Sequence, residues 1–247
     1  MIETILKLLS RYGFVYVQGL VGTLCLAGIT VLFGTVLGTL LAVMRATPFK
    51  PCQWFVKTYV WILRGTPILL QLYFFWIFLP RVLPFKMSDA ACIIIALIIS
   101  ASSYVSEIIR AGIQAVDKGQ IEAARSLGLT SSMAMREVVL PQALKNILPA
   151  LGNEFINMIK QVSLASVFFI NELTTSYKTV LAATYRPVES IVIAGVIYLM
   201  VTTVLGWIVD YAEHRMQHNV PAEKPRRRFS FLTGRFAPAP AGIAGKI

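Results

Sequence analysis

Five long apolar runs alternate with polar stretches along the chain. They cover residues 16–44, 54–79, 90–109, 151–173 and 191–209. A helix of about 20 apolar residues spans the roughly 30 Å hydrocarbon core of a bilayer. The pattern therefore predicts an all-α integral membrane protein with five transmembrane helices. In the first run, Gly34 and Gly38 have the GxxxG spacing that lets two helices pack closely, and we interpret them as packing residues.

The second run is less uniformly apolar than the first. Lys57 and Arg64 lie in its first half, and Gly65-Thr66-Pro67 follows directly. In one continuous helix, Arg64 would lie roughly 22 Å from Leu79, near the inner face of the membrane. We expect the arginine to extend its charged end to that interface.

The fourth run carries polar side chains at helical spacing. They are Asn153, Asn157, Lys160 and Gln161. Lys160 lies about 14 Å along the helix from Leu151, close to the middle of the bilayer. A lysine there costs about 3 kcal/mol unless it faces protein or water. We therefore expect this polar stripe to face the interior of the bundle. An ion pair of Lys160 with Glu107 or Glu154 is the alternative, purely structural role.

A polar stretch, residues 117–149, separates the third and fourth runs. Residues 122–127 are rich in helix formers, and Gly128 stops that helix. A following helix can be capped by Thr130, Ser131 or Ser132. Pro141 should break this second helix and leave residues 142–148 as a short turn before Pro149. We predict two short helices that meet at Gly128 and protrude, and we call residues 117–141 the knob.

Composition and charge support a membrane protein. Of the 247 residues, 56% are hydrophobic and 14% are charged, whereas soluble domains have about 25% charged residues. If the knob is cytoplasmic, fifteen Lys and Arg residues lie on the inner side and six on the outer side. This bias predicts an outer N-terminus and an inner C-terminus. It also explains the net charge of +11 without a nucleic-acid partner.

The end of the chain differs from the rest. Residues 220–247 are rich in Pro, Arg and Ala and include Arg226-Arg227-Arg228. Such a segment cannot build a core. We therefore divide the chain into a transmembrane domain, residues 1–219, and a basic, disordered cytoplasmic tail that contacts anionic lipids.

Common catalytic motifs are missing from the sequence. There is no HExxH, no GxSxG, no Rossmann fingerprint and no GxxxxGK[ST] phosphate loop. We predict no catalytic residues, no metal site and no cofactor bound by this chain. His214 and His218 are four residues apart, but we interpret them as a solvated helix end. If transport is driven by ATP, a partner must hydrolyse it.

Residues in the knob carry a resemblance to a known family. Glu122-Ala123-Ala124, Gly128 four residues later and Leu140-Pro141 resemble the EAA signature of ABC importer permeases, with Val138 in place of the usual Ile. In that family the segment is a coupling helix that docks on a separate ATPase. The resemblance implies this role for a set of knob residues: Glu122, Ala123, Ala124, Arg125, Gly128, Leu140 and Pro141.

Two further segments resemble the polar-amino-acid branch of these permeases. They are residues 64–71, Arg-Gly-Thr-Pro-Ile-Leu-Leu-Gln, and residues 104–112, Tyr-Val-Ser-Glu-Ile-Ile-Arg-Ala-Gly. The resemblance implies the transmembrane domain of a type I ABC importer in the bacterial cytoplasmic membrane. It also implies a second permease subunit, identical or paralogous, two ATPase subunits that bind ATP and Mg²⁺, and an extracytoplasmic amino-acid-binding protein.

An amino acid in transit needs groups for both of its charges. Its carboxylate favours cations and amides, and its amine favours carboxylates and oxygens. We predict that the first set is Lys160, Gln161, Asn157 and Ser163, and that the second is Glu107, Tyr104 and Gln71. Glu107 has an alternative structural role as the ion-pair partner of Arg110, three residues later. A secondary carrier or channel that uses Lys160 and Glu107 is the alternative function.

Overall fold

A computed structural model of the chain describes residues 1–217. All regular secondary structure in these residues is helical, which confirms the predicted all-α class. The helices are α1 (Ile2–Ala46), α2 (Lys50–Gly65), α3 (Ile68–Val82), α4 (Asp89–Gln114), α5 (Lys118–Ser126), α6 (Ser131–Met133), α7 (Leu140–Gln161), α8 (Leu173–Thr184) and α9 (Pro187–Gln217). A π-helical segment, Ala134–Val139, joins α6 to α7, and a 3₁₀ segment, Val162–Phe168, follows α7. The predicted tail lies outside the described residues.

Several of these helices suit a membrane. Among the described helices, α1, α4 and α9 are long and apolar enough to cross a bilayer, and α2 with α3 makes a fourth candidate if the bent pair is one span. A multi-pass membrane protein is thus confirmed. The count of five spans stays a prediction, because α7 carries the polar stripe and does not meet the same criterion.

Helix α1 begins at Ile2, well before the predicted start at residue 16. Its 45 residues make it about 67 Å long, far more than the bilayer core requires. It packs along α4 through the two GxxxG glycines. A Cβ added at Gly34 would lie 2.9 Å from the Ala101 Cβ, and one at Gly38 would lie 2.7 Å from the Val105 Cβ. The packing interpretation is confirmed, and the matching order of these contacts shows that α1 and α4 run parallel.

The second apolar run is broken into two helices. Thr66 and Pro67 are extended, and the axes of α2 and α3 differ in direction by 111°. Pro67 favours this break, because it has no N–H for a helical bond and disfavours helical geometry at Thr66. The expectation that Arg64 and Leu79 lie on one continuous helix is therefore wrong, whereas the location of Arg64 near the inner interface stays a prediction. Tyr59, on the same helix, donates to the Ile99 carbonyl oxygen at 3.0 Å, which places the second half of α2 beside the middle of α4.

The predicted break at Pro141 is also wrong. Helical structure continues from Ser131 to Gln161 through the π-helical segment. Pro141 lies in the first turn of α7, where a missing N–H costs least, and Pro149 lies buried inside α7. The fourth apolar run, in contrast, does not stay in one helix, because α7 ends at Gln161 and the 3₁₀ segment follows.

A buried carboxylate organises the link between the fourth and fifth runs. Glu172 has no exposed surface and caps α8, where its Oε2 and Oε1 accept hydrogen bonds from the N–H groups of Thr174 at 2.7 Å and Thr175 at 2.6 Å. The Tyr198 hydroxyl of α9 also donates to Glu172 Oε2, at 3.0 Å. Thr23 of α1 accepts from the Leu173 N–H at 3.0 Å. These bonds hold α1, α8 and α9 together.

Candidate functional site: the knob and the polar helix break

The knob contains the two helical pieces that the sequence predicts, α5 and α6. Asp117 begins α5, with its Oδ1 accepting from the Gly119 N–H at 2.6 Å. Gly128 ends it in the left-handed region, at φ +87°. The Gly128 N–H donates to the Arg125 carbonyl oxygen at 3.0 Å, and the Leu129 N–H donates to the Ala124 carbonyl oxygen at 3.1 Å. This pair of bonds is a Schellman motif, in which glycine is favoured because it has no Cβ.

The next helix is capped by the first of the three predicted residues. Thr130 Oγ1 accepts from the Met133 N–H at 3.3 Å. Beneath this turn the knob rests on an apolar cluster formed by Val116, Val139, Ala143 and Ile147. The knob is therefore fixed to the ends of α4 and α7, and a force applied to it is transmitted to both helices.

The seven predicted coupling residues divide into two groups in the structure. Ala124 is buried against the chain itself. The others are exposed: Glu122, Ala123, Arg125, Gly128, Leu140 and Pro141. Leu127 is 82% exposed at the tip of the knob, a location that the sequence analysis did not single out. An exposed leucine is unremarkable alone, but here it adds apolar surface to a polar protrusion.

Glu107 lies in an ion-pair network near the knob end of α4. Its Oε2 accepts from Arg45 Nη1 of α1 at 3.0 Å, and its Oε1 accepts from Arg110 Nε at 2.8 Å. Arg110 also donates to Gln114. The predicted pair with Arg110 is confirmed. The contact with Arg45, which joins the last turn of α1 to α4, depends on tertiary packing and has no sequence signal.

The break between α2 and α3 brings charged and aromatic groups together. The Arg64 guanidinium lies over the Tyr104 ring, 5.5 Å from its centroid, and interacts electrostatically with Glu154 of α7. Glu154 is 7% exposed, and its Oε1 has no hydrogen-bond partner among the described residues. The sequence analysis missed this group. The Gly-Thr-Pro sequence after Arg64 was the signal for a break inside the second span.

Gln71 holds this break together. Its Nε2 donates to the Leu63 carbonyl oxygen at 2.6 Å, to the Thr66 carbonyl oxygen at 3.1 Å and to Thr66 Oγ1 at 3.0 Å. These acceptors lie at the end of α2, where helical carbonyls lack partners. Its Oε1 is buried without a hydrogen-bond partner in the described part of the chain. Gln71 thus stabilises the bend next to the Arg64 group.

The polar stripe on α7 does not face the interior of this chain. Asn153, Asn157 and Lys160 are all exposed, so the expectation of an inward stripe is wrong for the single subunit. Neither ion pair considered for Lys160 occurs among the described residues. Gln161 and Ser163 are half-buried, and Ser163 Oγ donates to the Lys160 carbonyl oxygen at 2.6 Å.

Fold and site together define a class of protein. The chain is a multi-pass helical membrane protein with a helical knob at one end and a polar break within its apolar bundle. The family model of the binding-protein-dependent transport system inner membrane component matches residues 34–218, and the chain belongs to this family. It is therefore a transport subunit of the inner membrane.

Individual relatives cover most of the chain. It is similar to the arginine transport system permease protein ArtQ of Bacillus subtilis (strain 168), with 37% identity over 82% of this chain and 92% of that protein. The probable glutamine ABC transporter permease protein GlnM of the same strain is 39% identical over 82% of this chain and 93% of its own length. The nopaline transport system permease protein NocM of Agrobacterium fabrum (strain C58 / ATCC 33970) is 39% identical, over 77% of this chain and 83% of its own length.

Solved structures share the fold. The crystal structure of an amino acid ABC transporter with histidines superposes with a TM-score of 0.80 at 40% identity, covering 84% of this chain and 96% of that one. An inward-facing structure of the MetNI methionine ABC transporter gives a TM-score of 0.69 at 19% identity, covering 82% of this chain and 96% of that one, which shows the fold alone. The predicted fold of a type I ABC importer transmembrane domain is confirmed.

Proposed function

We propose that this chain is the permease subunit of an ATP-driven importer that carries a polar amino acid across the bacterial cytoplasmic membrane. The relatives named for arginine, glutamine and nopaline transport support a polar amino acid as the substrate class. Family membership disfavours a secondary carrier or channel that uses Lys160 and Glu107.

The knob is the observation that carries the proposal. It exposes Glu122, Arg125 and Leu127 on α5 and at its C-terminal end, and its base is packed against α4 and α7. The sequence has no phosphate-binding loop of its own. Two separate ATPase subunits, which bind ATP and Mg²⁺, would dock on this surface and drive the movement. The knob then lies in the cytoplasm, with the N-terminus outside and the C-terminus inside.

The exposed polar stripe supports a second permease subunit. Asn153, Asn157 and Lys160 cannot face lipid without a cost of about 3 kcal/mol for the lysine alone. A second copy or a paralogue would enclose the stripe around a water-filled path. An extracytoplasmic binding protein would deliver the amino acid at the end opposite the knob.

Transport then follows alternating access, in which ATP shifts the population between inward-open and outward-open states. The amino acid would pass the break between α2 and α3. Lys160, Asn157, Gln161 and Ser163 lie on the α7 side and suit a carboxylate. Tyr104 and the neighbouring Glu154 suit an amine. Gln71 and Glu107 act indirectly, since their side chains bond to the chain itself.

Reconstitution tests the proposal. The chain is co-expressed with a candidate ATPase and paralogous permease, purified, and placed in liposomes with a binding protein and a panel of basic, acidic and amide amino acids. We expect an ATPase to co-purify and uptake to require ATP inside the liposomes. Concentrative uptake by the isolated polypeptide without any ATPase would refute the proposal.

A further inference from the structure

A basic groove lies at the N-terminal end of α1. Lys7 and Arg11 of α1 and Arg186 of the α8–α9 turn line it, together with Thr4, Tyr12 and Thr184. Its volume is about 350 Å³. Since α1 and α4 run parallel, and the knob follows the C-terminal end of α4, the groove lies at the opposite end of the molecule from the knob.

The positive charge of the groove is largely uncompensated. Lys7 pairs with Glu3 at 2.7 Å, but both side chains are mostly exposed, so water screens the pair. Arg11 lies over the Tyr12 ring, 5.6 Å from its centroid. No carboxylate among the described residues forms an ion pair with Arg11 or Arg186. The carbonyls at the C-terminal end of α8 carry only about half a negative charge, which offsets a small part of the positive charge of the groove.

The basic groove and an exposed apolar stripe lie on opposite sides of α1. At 3.6 residues per turn, Thr4, Lys7 and Arg11 share one side of α1. The opposite side carries an exposed apolar stripe at Ile2 and Leu6, which are 74% and 61% exposed. If the apolar stripe contacts lipid, then the basic side is turned away from the bilayer.

An exposed aromatic residue adjoins the groove. Tyr185 immediately precedes Arg186, is 87% exposed, and has a left-handed backbone with φ +54°. This conformation belongs to the C-cap of α8, where the Tyr185 N–H donates to the Leu181 carbonyl oxygen at 2.8 Å. Tyrosine and arginine are also the residues that contribute most often to the energy of protein interfaces.

We propose that the groove and Tyr185 form a docking site for a carboxylate-bearing surface of the extracytoplasmic binding protein. This inference rests on the proposed function and on its orientation of the chain. Lys7, Arg11 and Arg186 attract the acidic surface and set its register, and Tyr185 supplies the apolar contact. Such charge complementarity raises the rate of encounter and makes it sensitive to salt.

Uptake by the reconstituted complex, measured against the concentration of binding protein, tests this site. The variant Lys7→Gln/Arg11→Gln/Arg186→Gln should raise the half-saturating concentration about tenfold at low salt, with maximal uptake unchanged. The control Arg81→Gln/Lys86→Gln removes two cations from the α3–α4 region and should have no effect. The charge-preserving variant Lys7→Arg/Arg11→Lys/Arg186→Lys should behave as the wild type. Tyr185→Gly should relieve backbone strain yet raise the half-saturating concentration.

The possible outcomes distinguish a failure of the docking site from a failure of the proposed function. If no binding protein stimulates uptake, the proposed function fails. If stimulation is normal but the triple variant has the wild-type half-saturating concentration, only the docking site is refuted. Repeating the assay in phosphatidylcholine and phosphatidylglycerol liposomes tests another occupant: an effect of the triple variant that appears only with phosphatidylglycerol would assign the groove to lipid phosphate and overturn docking.

Discussion

Gly128 provides the sharpest test at the scale of a single residue. A Cβ added there meets nothing within 4 Å, so the cost of substitution comes from the backbone at φ +87°. An L-residue in the left-handed region costs about 1–2 kcal/mol, and Asn tolerates it best. We expect Gly128→Val to weaken ATPase co-purification and ATP-driven uptake about tenfold, and Gly128→Asn to preserve both. The measurements are pull-down of the ATPase and initial uptake rate.

Gly195 of α9 is a matched control for this substitution. It also has nothing within 4 Å of an added Cβ, and its φ is not positive. Gly195→Val adds the same atoms to ordinary helical backbone and should leave uptake near the wild-type rate. Equal losses in both variants would show that added bulk, rather than the turn, is responsible.

Lys160 tests whether the stripe on α7 contacts substrate. Its amine is exposed and forms no ion pair within residues 1–216. A hydrogen bond to a charged group is worth about 1.5–3 kcal/mol. We therefore expect Lys160→Met to raise the half-saturating amino acid concentration at least about tenfold, while ATPase co-purification is unchanged. Lys86→Met, at an exposed position before α4, is the control, and unaltered affinity in Lys160→Met would assign the lysine to packing.

Local chemistry made some of these residues predictable from sequence. The stop at Gly128, the cap by Thr130 and the Glu107–Arg110 pair depend on neighbours within four residues. The Arg45–Glu107 bond and the Arg64–Tyr104–Glu154 group join positions 40 or more residues apart in the sequence. Nothing in the spacing of these residues specifies which helices pack together.

At the scale of elements, the bend between α2 and α3 depends on one amide. Gln71 is 6% exposed and satisfies the carbonyls of Leu63 and Thr66. Gln71→Leu keeps a similar volume but leaves these acceptors unpaired, which costs about 1–3 kcal/mol. We expect a lower melting temperature in detergent and slower uptake.

Gln53→Leu is the comparison for Gln71→Leu. Gln53 Nε2 donates to the Thr47 carbonyl oxygen at 2.8 Å, in the short α1–α2 connection. Water can replace that bond, so we expect a change within about 0.5 kcal/mol. Melting temperatures that fall equally in the two variants would show that the bend does not depend on Gln71.

The prolines made it hard to predict from the sequence where the helices begin and end. Pro67 and Pro141 carry the same local signal, yet Pro67 separates two helices whereas Pro141 lies in the first turn of one. The difference lies in the preceding backbone. Before Pro141 the π-helical segment continues the helix, and before Pro67 the residue Thr66 is extended. A proline can follow an extended residue or lie in the first turn of a helix without losing a hydrogen bond. Tertiary packing therefore decides between these two arrangements.

At the scale of the whole molecule, the stripe on α7 is a polar surface that the single chain leaves uncovered. Asn153, Asn157 and Lys160 are exposed on a helix whose other faces pack against α4 and α9. The sequence predicted that these residues avoid lipid, and the error was to assume that the same chain covers them. In the proposed transporter a second permease subunit would supply the enclosing surface, which a single sequence does not specify.

Accessibility of a cysteine on this stripe tests alternating access in the assembled transporter. In a variant with Cys25, Cys52 and Cys92 replaced by serine, Asn157→Cys places a thiol on the proposed path. Thiols react as thiolates, which require water. We expect a membrane-impermeant methanethiosulfonate to label Asn157→Cys from outside when ATP is bound but not hydrolysed, and from inside when nucleotide is absent.

Leu199→Cys supplies the control, because Leu199 is 65% exposed on α9 among apolar neighbours that suit lipid. Its thiol should react slowly from either side, with or without ATP. Labelling of Asn157→Cys that is equally slow under all conditions would place the stripe in a dry subunit interface. Labelling from both sides at once would indicate a continuous pore, because strict alternation exposes the path to one side at a time.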